Sequence, residues 1–306
     1  MTELLPDLRQ LRAFVAVADE GSFTLAAKKL FLTQSAISHS MKALEDSLGC
    51  RLLERLGKKT ILTEEGEVFL RRCRRVLGEL EDASRELDGL KRWGQGRIRI
   101  GAPHAICQFL LPTVLREFRD CFPRCEPSLE SDDTAKLLER MNDHELDVVL
   151  GLCPRSGTIE SYRTLFRDRM TFIVPPEHPW AESGQADVAD LSKTQFIIYS
   201  RAIETHKLLE EHFDQLGVRT RPHQVLGDME TIKGMVKVGL GVGIIAPWVA
   251  KKEFDDGSLV AIPLPGPAIE REWGIFHNGD RQLSLIEETF AGIAEIVGRE
   301  LYLPEV

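Results

Sequence analysis

The sequence predicts an α/β protein that begins with a small all-α domain and continues through one long helix. Three observations carry this prediction. Short helical patterns and tight turns fill the first 62 residues, a heptad repeat begins near residue 64, and short apolar runs alternate with helical patterns from residue 94 onward. A chain of 306 residues is also too long for one ordinary core, so two or three domains are expected.

The composition excludes several classes of protein. Hydrophobic residues make up 43% of the chain and charged residues 28%, which is typical of globular proteins and excludes a disordered or collagen-like chain. No apolar run approaches the roughly 18 to 20 residues that span a bilayer. The opening stretch MTELLPDLRQ also lacks the basic and apolar segments of a secretory signal. We therefore expect a cytoplasmic protein with no membrane partner.

Six cysteines are scattered along the chain, and they form neither a CxxC motif nor a cluster with histidine. A disulfide framework and a metal site are therefore not expected, and no cofactor is indicated. The closest pair, Cys121 and Cys125, is predicted to be ordinary reduced thiols, with a redox switch as the open alternative.

The net charge of −9 is distributed unevenly along the chain. Residues 1–92 carry 16 basic and 15 acidic side chains, whereas residues 93–306 carry 23 basic and 33 acidic ones. The acidic balance therefore belongs to the second part. The first part can bind nucleic acid provided that its basic residues share one face.

Three short helices are predicted at the start of the chain. The first has apolar residues at spacings of three and four between Leu8 and Ala18. Ser22 suits the N-cap of the second helix, and Thr33 suits the N-cap of the third, which ends at Gly49. The pattern is that of two helices joined by a short turn.

The third helix is predicted to have one apolar and one polar face. Its apolar stripe consists of Ile37, Met41, Leu44 and Leu48, and its polar face consists of Ser35, His39 and Lys42 with Gln34 and Ser38 at the edges. Glutamine and serine side chains can hydrogen-bond to base edges in a DNA major groove, while histidine and lysine add positive charge. On this pattern alone, an ordinary solvated face remains the alternative.

A short hairpin is predicted after the third helix. The runs RLLER and TILT are joined by LGKK, so the hairpin carries Arg55, Lys58 and Lys59. Such a wing can reach phosphates or a minor groove. Ordinary surface residues on a hairpin are the alternative.

The long helix from residue 64 is predicted to pair with a second copy of the chain. Its apolar positions follow heptad spacing, and they are Phe69, Cys73, Val76, Leu80, Ala83, Leu87 and Leu90. Two-fold pairing would present two copies of the third helix to two half-sites on DNA. The alternative is a helix that packs on its own domain.

The region from residue 94 is predicted to form one doubly wound domain or two lobes, with largely parallel sheets. In such sheets ligands bind beyond the carboxyl ends of the strands.

The chain resembles the LysR-type transcriptional regulators over essentially its whole length. The resemblance is carried by LRAFVAVADEGSFTLAAKKLFLTQSAISHSMKALEDSLGCRLLER, followed by ILTEEGEVFL, and later by LLPTVLREFRDCFP and METIKGMVKVGLGVGIIAP. It implies a winged helix-turn-helix domain, a dimerisation linker helix, and a two-lobed α/β effector domain similar to type 2 periplasmic binding proteins. The implied bounds are 1–63, 64–93 and 94–306, with lobe 1 about 94–165 and 268–306 and lobe 2 about 166–267.

The resemblance also implies which residues bind DNA. Matching positions are Thr33, Gln34, Ser35, Ser38, His39 and Lys42 on the third helix, and Arg55 and Lys58 on the wing. Many family members have arginine where this chain has His39. Histidine is shorter and only partly charged near neutral pH, so the base preference at this position stays open.

The effector cleft implied by the resemblance lies between the lobes. Matching positions are Pro103, His104, Ala105, Thr134, Cys153, Tyr199, Ser200, Asp228, Met229 and Val242. Family members that bind small carboxylates often have Ser or Thr after the first strand, where this chain has His104 or Ala105. The alternatives are a loop histidine that caps a helix at position 104 and a buried structural thiol at position 153.

The sequence therefore predicts a sequence-specific DNA-binding transcriptional regulator of the LysR type, controlled by a small-molecule effector of unknown identity. Its expected partners are an operator with an inverted repeat, further copies of the chain as a homodimer or homotetramer, and RNA polymerase if it activates transcription. An enzyme is not expected, because G-x-S-x-G, GxxxxGK[ST] and H-E-x-x-H motifs are missing. A transporter's solute-binding protein is disfavoured by the first 92 residues.

Overall fold

A computed structural model describes residues 6–56, 59–91, 95–154, 162–199, 203–220, 222–279 and 282–301. The chain forms two compact units. One comprises Met1–Trp93 with Glu139–Leu146, and the other comprises Gly94–Leu138 with Asp147–Val306. No helix in the described part of the chain is both long and apolar enough to cross a membrane.

The first unit has three short helices, a hairpin and a long helix. Their bounds are α1 Leu8–Glu20, α2 Phe23–Lys29, α3 Gln34–Leu48, β1 Leu53–Leu56, β2 Lys59–Leu62 and α4 Glu64–Lys91. Ser22 and Thr33 cap α2 and α3 as predicted, because their hydroxyls accept from the amides of Leu25 and Ala36. The helix α3 ends at Gly49, whose φ is 71°.

The core of this unit fixes the orientation of α3. Ile37 and Leu44 from α3 are completely buried, together with Phe14 from α1. The Glu45 carboxylate accepts hydrogen bonds from the backbone amides of Leu52 and Leu53, at 2.8 and 3.2 Å. The hairpin is therefore attached to α3 by an acidic side chain, and the opposite face of α3 remains exposed.

The start of α4 packs within its own unit. The Phe69 ring lies 5.5 Å from the Phe14 ring, and Cys73 is only 2% exposed in the same core. The predicted pairing seam is therefore wrong at Cys73, because its side chain is already buried within the chain. Val76 and Leu80 are exposed, as is Ala83, whereas the side chains of Leu87 and Leu90 lie outside the described residues.

The second unit has two five-stranded sheets. One has the order β4-β3-β5-β12-β6, with β3 Gln95–Gly101, β4 Arg124–Glu130, β5 Val148–Leu152, β6 Tyr162–Arg169 and β12 Glu270–His277. The other has the order β11-β7-β10-β8-β9, with β7 Thr171–Val174, β8 Phe196–Tyr199, β9 Pro222–Leu226, β10 Val242–Ile245 and β11 Val260–Pro263. We call the first sheet with its helices lobe 1 and the second lobe 2.

Each sheet is mixed and not largely parallel, which corrects the prediction. In lobe 1, β3 pairs in parallel with β4 and β5, while β12 pairs antiparallel with β5 and β6. In lobe 2, β8 pairs in parallel with β9 and β10, while β7 pairs antiparallel with β10 and β11. The antiparallel strands arise because the chain passes from β6 directly into β7 and returns from β11 to β12, so each lobe receives strands from distant parts of the sequence.

Ten helical segments occur in the described residues beyond position 101. They are α5 His104–Phe109, α6 Leu111–Cys121, α7 Thr134–Asn142, α8 Pro179–Ser183, α9 Val188–Leu191, α10 Ile203–Gln215, α11 Met229–Lys237, a 3-10 helix Pro247–Ala250, α12 Lys251–Asp255 and α13 Leu285–Leu301. A glycine on β5 lets α7 approach the sheet, because a Cβ at Gly151 would lie 2.6 Å from the Thr134 methyl carbon. The amino end of α7 is thereby held at the carboxyl end of β5.

Candidate functional site

The polar face of α3 is a solvent-exposed surface. Thr33, Gln34, Ser35, His39 and Lys42 are exposed, and Ser38 is partly buried. No acidic residue lies in the first turn of α3. This face therefore presents hydrogen-bonding groups and positive charge to solvent.

The groups at the amino end of α3 are arranged for an anion. The Thr33 hydroxyl accepts from the Ala36 amide at 3.2 Å and lies 3.1 Å from the Ser35 hydroxyl. The remaining first-turn amides and the positive end of the helix dipole face outward. Within the described residues, neither His39 nor Lys42 forms an ion pair. A phosphate or base edge at this end would therefore find donors that the fold has not used.

The hairpin forms the wing that the sequence predicts. Its strands pair antiparallel, with Leu56 opposite Lys59, and the Lys59 side chain is exposed. Lys58 and the side chain of Arg55 lie outside the described residues, so their predicted roles stay predictions.

A cavity of about 670 Å³ lies between lobe 1 and lobe 2 of the second unit. This volume is in the range of small-molecule binding sites. Six of the predicted effector residues line the cavity, and they are Pro103, His104, Ala105, Thr134, Tyr199 and Met229. The carboxyl ends of β3, β4 and β8 lead into the cavity, as expected for ligand sites on α/β sheets.

Three predicted effector residues do not line the cavity. Val242 is buried in the core of lobe 2 because it lies at the amino end of β10, whereas Ile244 and Ile245 at the carboxyl end line the cavity. Cys153 continues the pairing of β5 with β12, and burial raises the pKa of its thiol to about 12. Ser200, the tenth predicted effector residue, is not counted among these three because it lies outside the described residues.

The third residue that does not line the cavity, Asp228, acts as the N-cap of α11. Its carboxylate accepts from the hydroxyl and the amide of Thr231, at 2.6 and 2.7 Å, and these bonds lower the pKa of Asp228. Asp228 therefore positions the helix whose first residue, Met229, lines the cavity.

Several residues that line the cavity are held by a buried carboxylate that sequence reasoning missed. The fully buried Asp168 side chain accepts from the indole nitrogens of Trp248 and Trp273, at 2.8 and 2.9 Å. It also accepts from Arg271 Nε at 2.8 Å, and Arg271 in turn donates to the Thr205 hydroxyl at 3.0 Å. Trp248, Trp273, Arg271 and Thr205 all line the cavity. The signal in the sequence was an aspartate at the inward-facing position of the strand YRTLFRDR.

Two of the lysines that line the cavity are paired with nearby acids. Lys136 binds Asp132 at 3.1 Å, and Lys207 binds Glu204 at 3.0 Å. Apolar side chains supply the walls, among them Met170, Met229, Ile244 and Leu209. The described residues bring together no group of three or more His, Cys, Asp or Glu that could hold a metal ion. The cavity therefore presents both apolar side chains and charged or hydrogen-bonding groups to a ligand.

Burial disfavours the reactive thiolate form of Cys73 and Cys125. Burial raises the pKa of Cys125 to about 11 and that of Cys73 to about 12, so both remain protonated thiols at neutral pH. Cys121 is exposed. Although Cys121 and Cys125 are close in sequence, they lie on different elements, since one ends α6 and the other belongs to β4.

A winged helix-turn-helix with an exposed polar helix face, together with a two-lobed domain around a cavity, is the architecture of a DNA-binding transcription regulator with a separate ligand-binding domain. Residues 8–67 match the family model for the bacterial regulatory helix-turn-helix protein, lysR family. Residues 93–295 match the model for the LysR substrate binding domain. The chain belongs to the LysR family of transcriptional regulators, and it is a regulator and not an enzyme.

Related proteins support this assignment. The chain is 32% identical over 288 residues to the "Probable RuBisCO transcriptional regulator" of Thalassiosira pseudonana, covering 90% of this chain and 93% of that protein. A full-length variant of OxyR from Pseudomonas aeruginosa has the same fold, with a TM-score of 0.73, 23% identity, and coverage of 95% and 98%. Full-length CbnR complexed with its target DNA has a TM-score of 0.65, 21% identity, and coverage of 95% and 99%.

Asp168→Asn should lower the free energy of unfolding of the second unit by about 3 to 5 kcal/mol, because the buried Arg271 cation would lose its counter-charge. Urea denaturation followed by tryptophan fluorescence measures this. Glu117→Gln is the control, since it removes the charge of an exposed pair with Arg116, and it should cost less than about 1 kcal/mol. Equal, small losses in both variants would contradict the structural role of Asp168.

Proposed function

We propose that this chain reads an inverted-repeat operator with the exposed polar face of α3 and responds to a small molecule in the cavity between the lobes. The observation that carries the proposal is the polar face of α3, on which Gln34, His39 and Lys42 are exposed and neither His39 nor Lys42 forms an ion pair within the described residues. A surface that faces only solvent does not require polar and basic side chains to be grouped in this way. A DNA major groove, by contrast, presents hydrogen-bond donors and acceptors that can pair with these side chains.

Affinity and specificity come from different groups in this proposal. The amino end of α3, Lys42, Lys59 and the wing residues Arg55 and Lys58 bind phosphates, so affinity falls as salt concentration rises. The side chains of Thr33, Gln34, Ser35, Ser38 and His39 contact base edges and determine which sequence is bound. The regulator acts in the cytoplasm, where it reaches the chromosome.

Ligand control follows from the two-lobed domain. A molecule that contacts both lobes stabilises the arrangement in which those contacts form, and it shifts the population toward that arrangement. The strands β6 and β12 connect the lobes and pair Asp168 with Arg271. Ligand contact with Arg271 or Trp273 therefore acts directly at the connection between the lobes. If the output is activation, RNA polymerase is the further partner.

Selection from a random library of DNA duplexes tests sequence-specific binding. The full-length chain should enrich duplexes that share an inverted repeat, and their affinity should fall steeply between about 50 and 200 mM salt. Because the relative from Thalassiosira pseudonana is named as a RuBisCO regulator, a promoter fragment of RuBisCO genes is a suitable first candidate target. Enrichment of no sequence at any salt concentration would contradict the proposal.

Gln34→Ala should weaken binding to the selected duplex by about 1 to 3 kcal/mol, because base-edge hydrogen bonds are lost, and should barely change binding to a random duplex. Fluorescence anisotropy measures both affinities. Gln215→Ala makes the same change at an exposed position at the end of α10 and should leave both affinities unchanged. Equal losses on both duplexes would exclude a base-reading role for Gln34.

The proposed homodimer uses the exposed part of α4 beyond Cys73. Val76→Lys combined with Leu80→Lys should convert the dimer to monomer, because the pairing surface would receive four charges. Both side chains are exposed in the single chain, so the change should not unfold it. Sedimentation velocity measures the outcome, with Leu285→Lys on α13 as the control. An intact dimer would place the interface elsewhere.

Thr134→Val should weaken the effector response by about 1 kcal/mol, because Thr134 lines the cavity and the isosteric methyl cannot hydrogen-bond. The Thr134 hydroxyl also accepts from the Leu152 amide at 3.2 Å, so the melting temperature of the variant is measured as well. A panel of small metabolites, screened by thermal shift on the wild-type chain, supplies the ligand. Thr289→Val, on α13, is the matched control. An unchanged dose curve in Thr134→Val, with operator binding intact, would remove this residue from the site.

A further inference from the structure

The turn between α2 and α3 contains a phenylalanine in an unfavourable position. Phe31 has a φ of 57°, in the left-handed region, and its side chain is 95% exposed. Bulky side chains rarely adopt this backbone conformation, and large apolar side chains rarely lie in water to this extent. The residue therefore combines two features that each oppose stability.

The left-handed backbone conformation of Phe31 is required by the hydrogen bonds that end α2. The amide of Leu32 donates to the carbonyl of Ala27 at 2.9 Å, and the amide of Phe31 donates to the carbonyl of Lys28 at 3.2 Å. This pair of bonds is the helix-terminating motif in which the residue at position 31 must be left-handed, usually as glycine or asparagine. The chain has glycine at the corresponding ends of α1 and α3, with φ values of 57° and 71° at Gly21 and Gly49.

Packing of the Phe31 ring does not offset this unfavourable backbone conformation. Phe31 forms no ring contact or cation–π contact within the part of the chain that the structure describes. Leu32, the next residue, is also 54% exposed. Neither side chain belongs to the core of the first unit, which is built mainly from α1, α2, α3 and the start of α4.

The residues that flank Phe31 in the sequence are basic on one side and polar on the other. Lys28, three residues before it, is exposed and forms no ion pair among the described residues, whereas its neighbour Lys29 is paired with Glu20 at 2.9 Å. Thr33 and Gln34, two and three residues after it, begin the polar face of α3. In the sequence, Phe31 therefore lies between Lys28, which has no ion-pair partner among the described residues, and the polar face of α3.

We propose that Phe31 is a further DNA-contacting residue, which packs against an apolar group of the operator, a thymine methyl or a deoxyribose, beside the bases read by α3. The inference rests on the proposed function and extends its binding face into the preceding turn. Duplex DNA presents phosphates, sugars and base methyl groups side by side. These groups match Lys28, the Phe31 ring and the polar face of α3, which follow one another in the sequence. A second copy of this surface would instead bring lysines together, and α3 has no acid in its first turn to pair with them.

The variant Phe31→Asn separates a functional role from a structural one. Asparagine tolerates the left-handed conformation, so the melting temperature of the full-length chain should stay the same or rise. Affinity for the duplex selected by the wild-type chain should fall roughly tenfold, because the apolar contact is lost. Phe31→Leu should recover most of this affinity, since it restores an apolar side chain at the same place.

The control is Val238→Asn, which makes a comparable change at a 70% exposed apolar residue of the second unit and should leave DNA affinity unchanged. Wild-type affinity in Phe31→Asn would overturn the proposal. A lower melting temperature together with weaker binding would overturn it as well, because the ring would then serve the fold. Lost self-association with unchanged affinity for DNA would show a protein contact instead.

Replacing thymine by uracil in the selected duplex, one position at a time, identifies the group that is contacted. A several-fold loss at one position in the wild type, absent in Phe31→Asn, identifies a thymine methyl. A loss in Phe31→Asn with no uracil effect at any position identifies a deoxyribose. Failure of this inference is distinguishable from failure of the proposed function, because Gln34→Ala would still lose specific affinity while Phe31→Asn would not.

Discussion

The second unit depends on one buried carboxylate. Asp168 lies where the chain leaves lobe 1 for lobe 2, and Arg271 lies opposite it on the strand by which the chain returns. Four donor groups satisfy the carboxylate, two indole nitrogens and two guanidinium nitrogens. A buried charge is tolerated only with such complete compensation, and the compensating groups thereby receive fixed positions. Trp248, Trp273 and Arg271 also line the cavity, so the same side chains stabilise the connection between the lobes and form part of the cavity wall.

In the first unit, by contrast, the charged side chains on the exposed face of α3 are not compensated by partners among the described residues. Glu45, the acid nearest the middle of α3, is turned to the hairpin amides, and the cations on the exposed side are left without ion-pair partners among the described residues. Ion pairs at the surface add little to stability, so leaving lysines unpaired costs the fold little. A surface kept free of internal partners is available to DNA phosphates, and the strained, exposed Phe31 lies at its edge.

Much of the fold could be predicted from local patterns. The spacing of Ile37, Met41 and Leu44 predicted the buried stripe of α3, and the caps at Ser22 and Thr33 lie where the hydroxyl residues precede helical patterns. The heptad pattern of α4 was less informative, because apolar spacing does not distinguish a partner helix from the helix's own domain. Cys73 fits the heptad and is nonetheless buried in the core that α1 and α3 form.

The sequence by itself determined the exposed polar face of α3, because that face depends on residues close together in the chain. Its resemblance to a known family determined the class of protein and part of the cavity lining. Only the tertiary structure decided the rest. Asp168 is 80 residues from Trp248 and 103 from Arg271, and no local period predicts that a strand leaving one lobe will pair with a strand returning to it. The placement of Val242 in a core and of Ile245 in the cavity likewise depends on which end of β10 faces the other lobe. The pairing of strands that are distant in sequence depends on the packing of whole sheets, and that packing determines the geometry of the cavity.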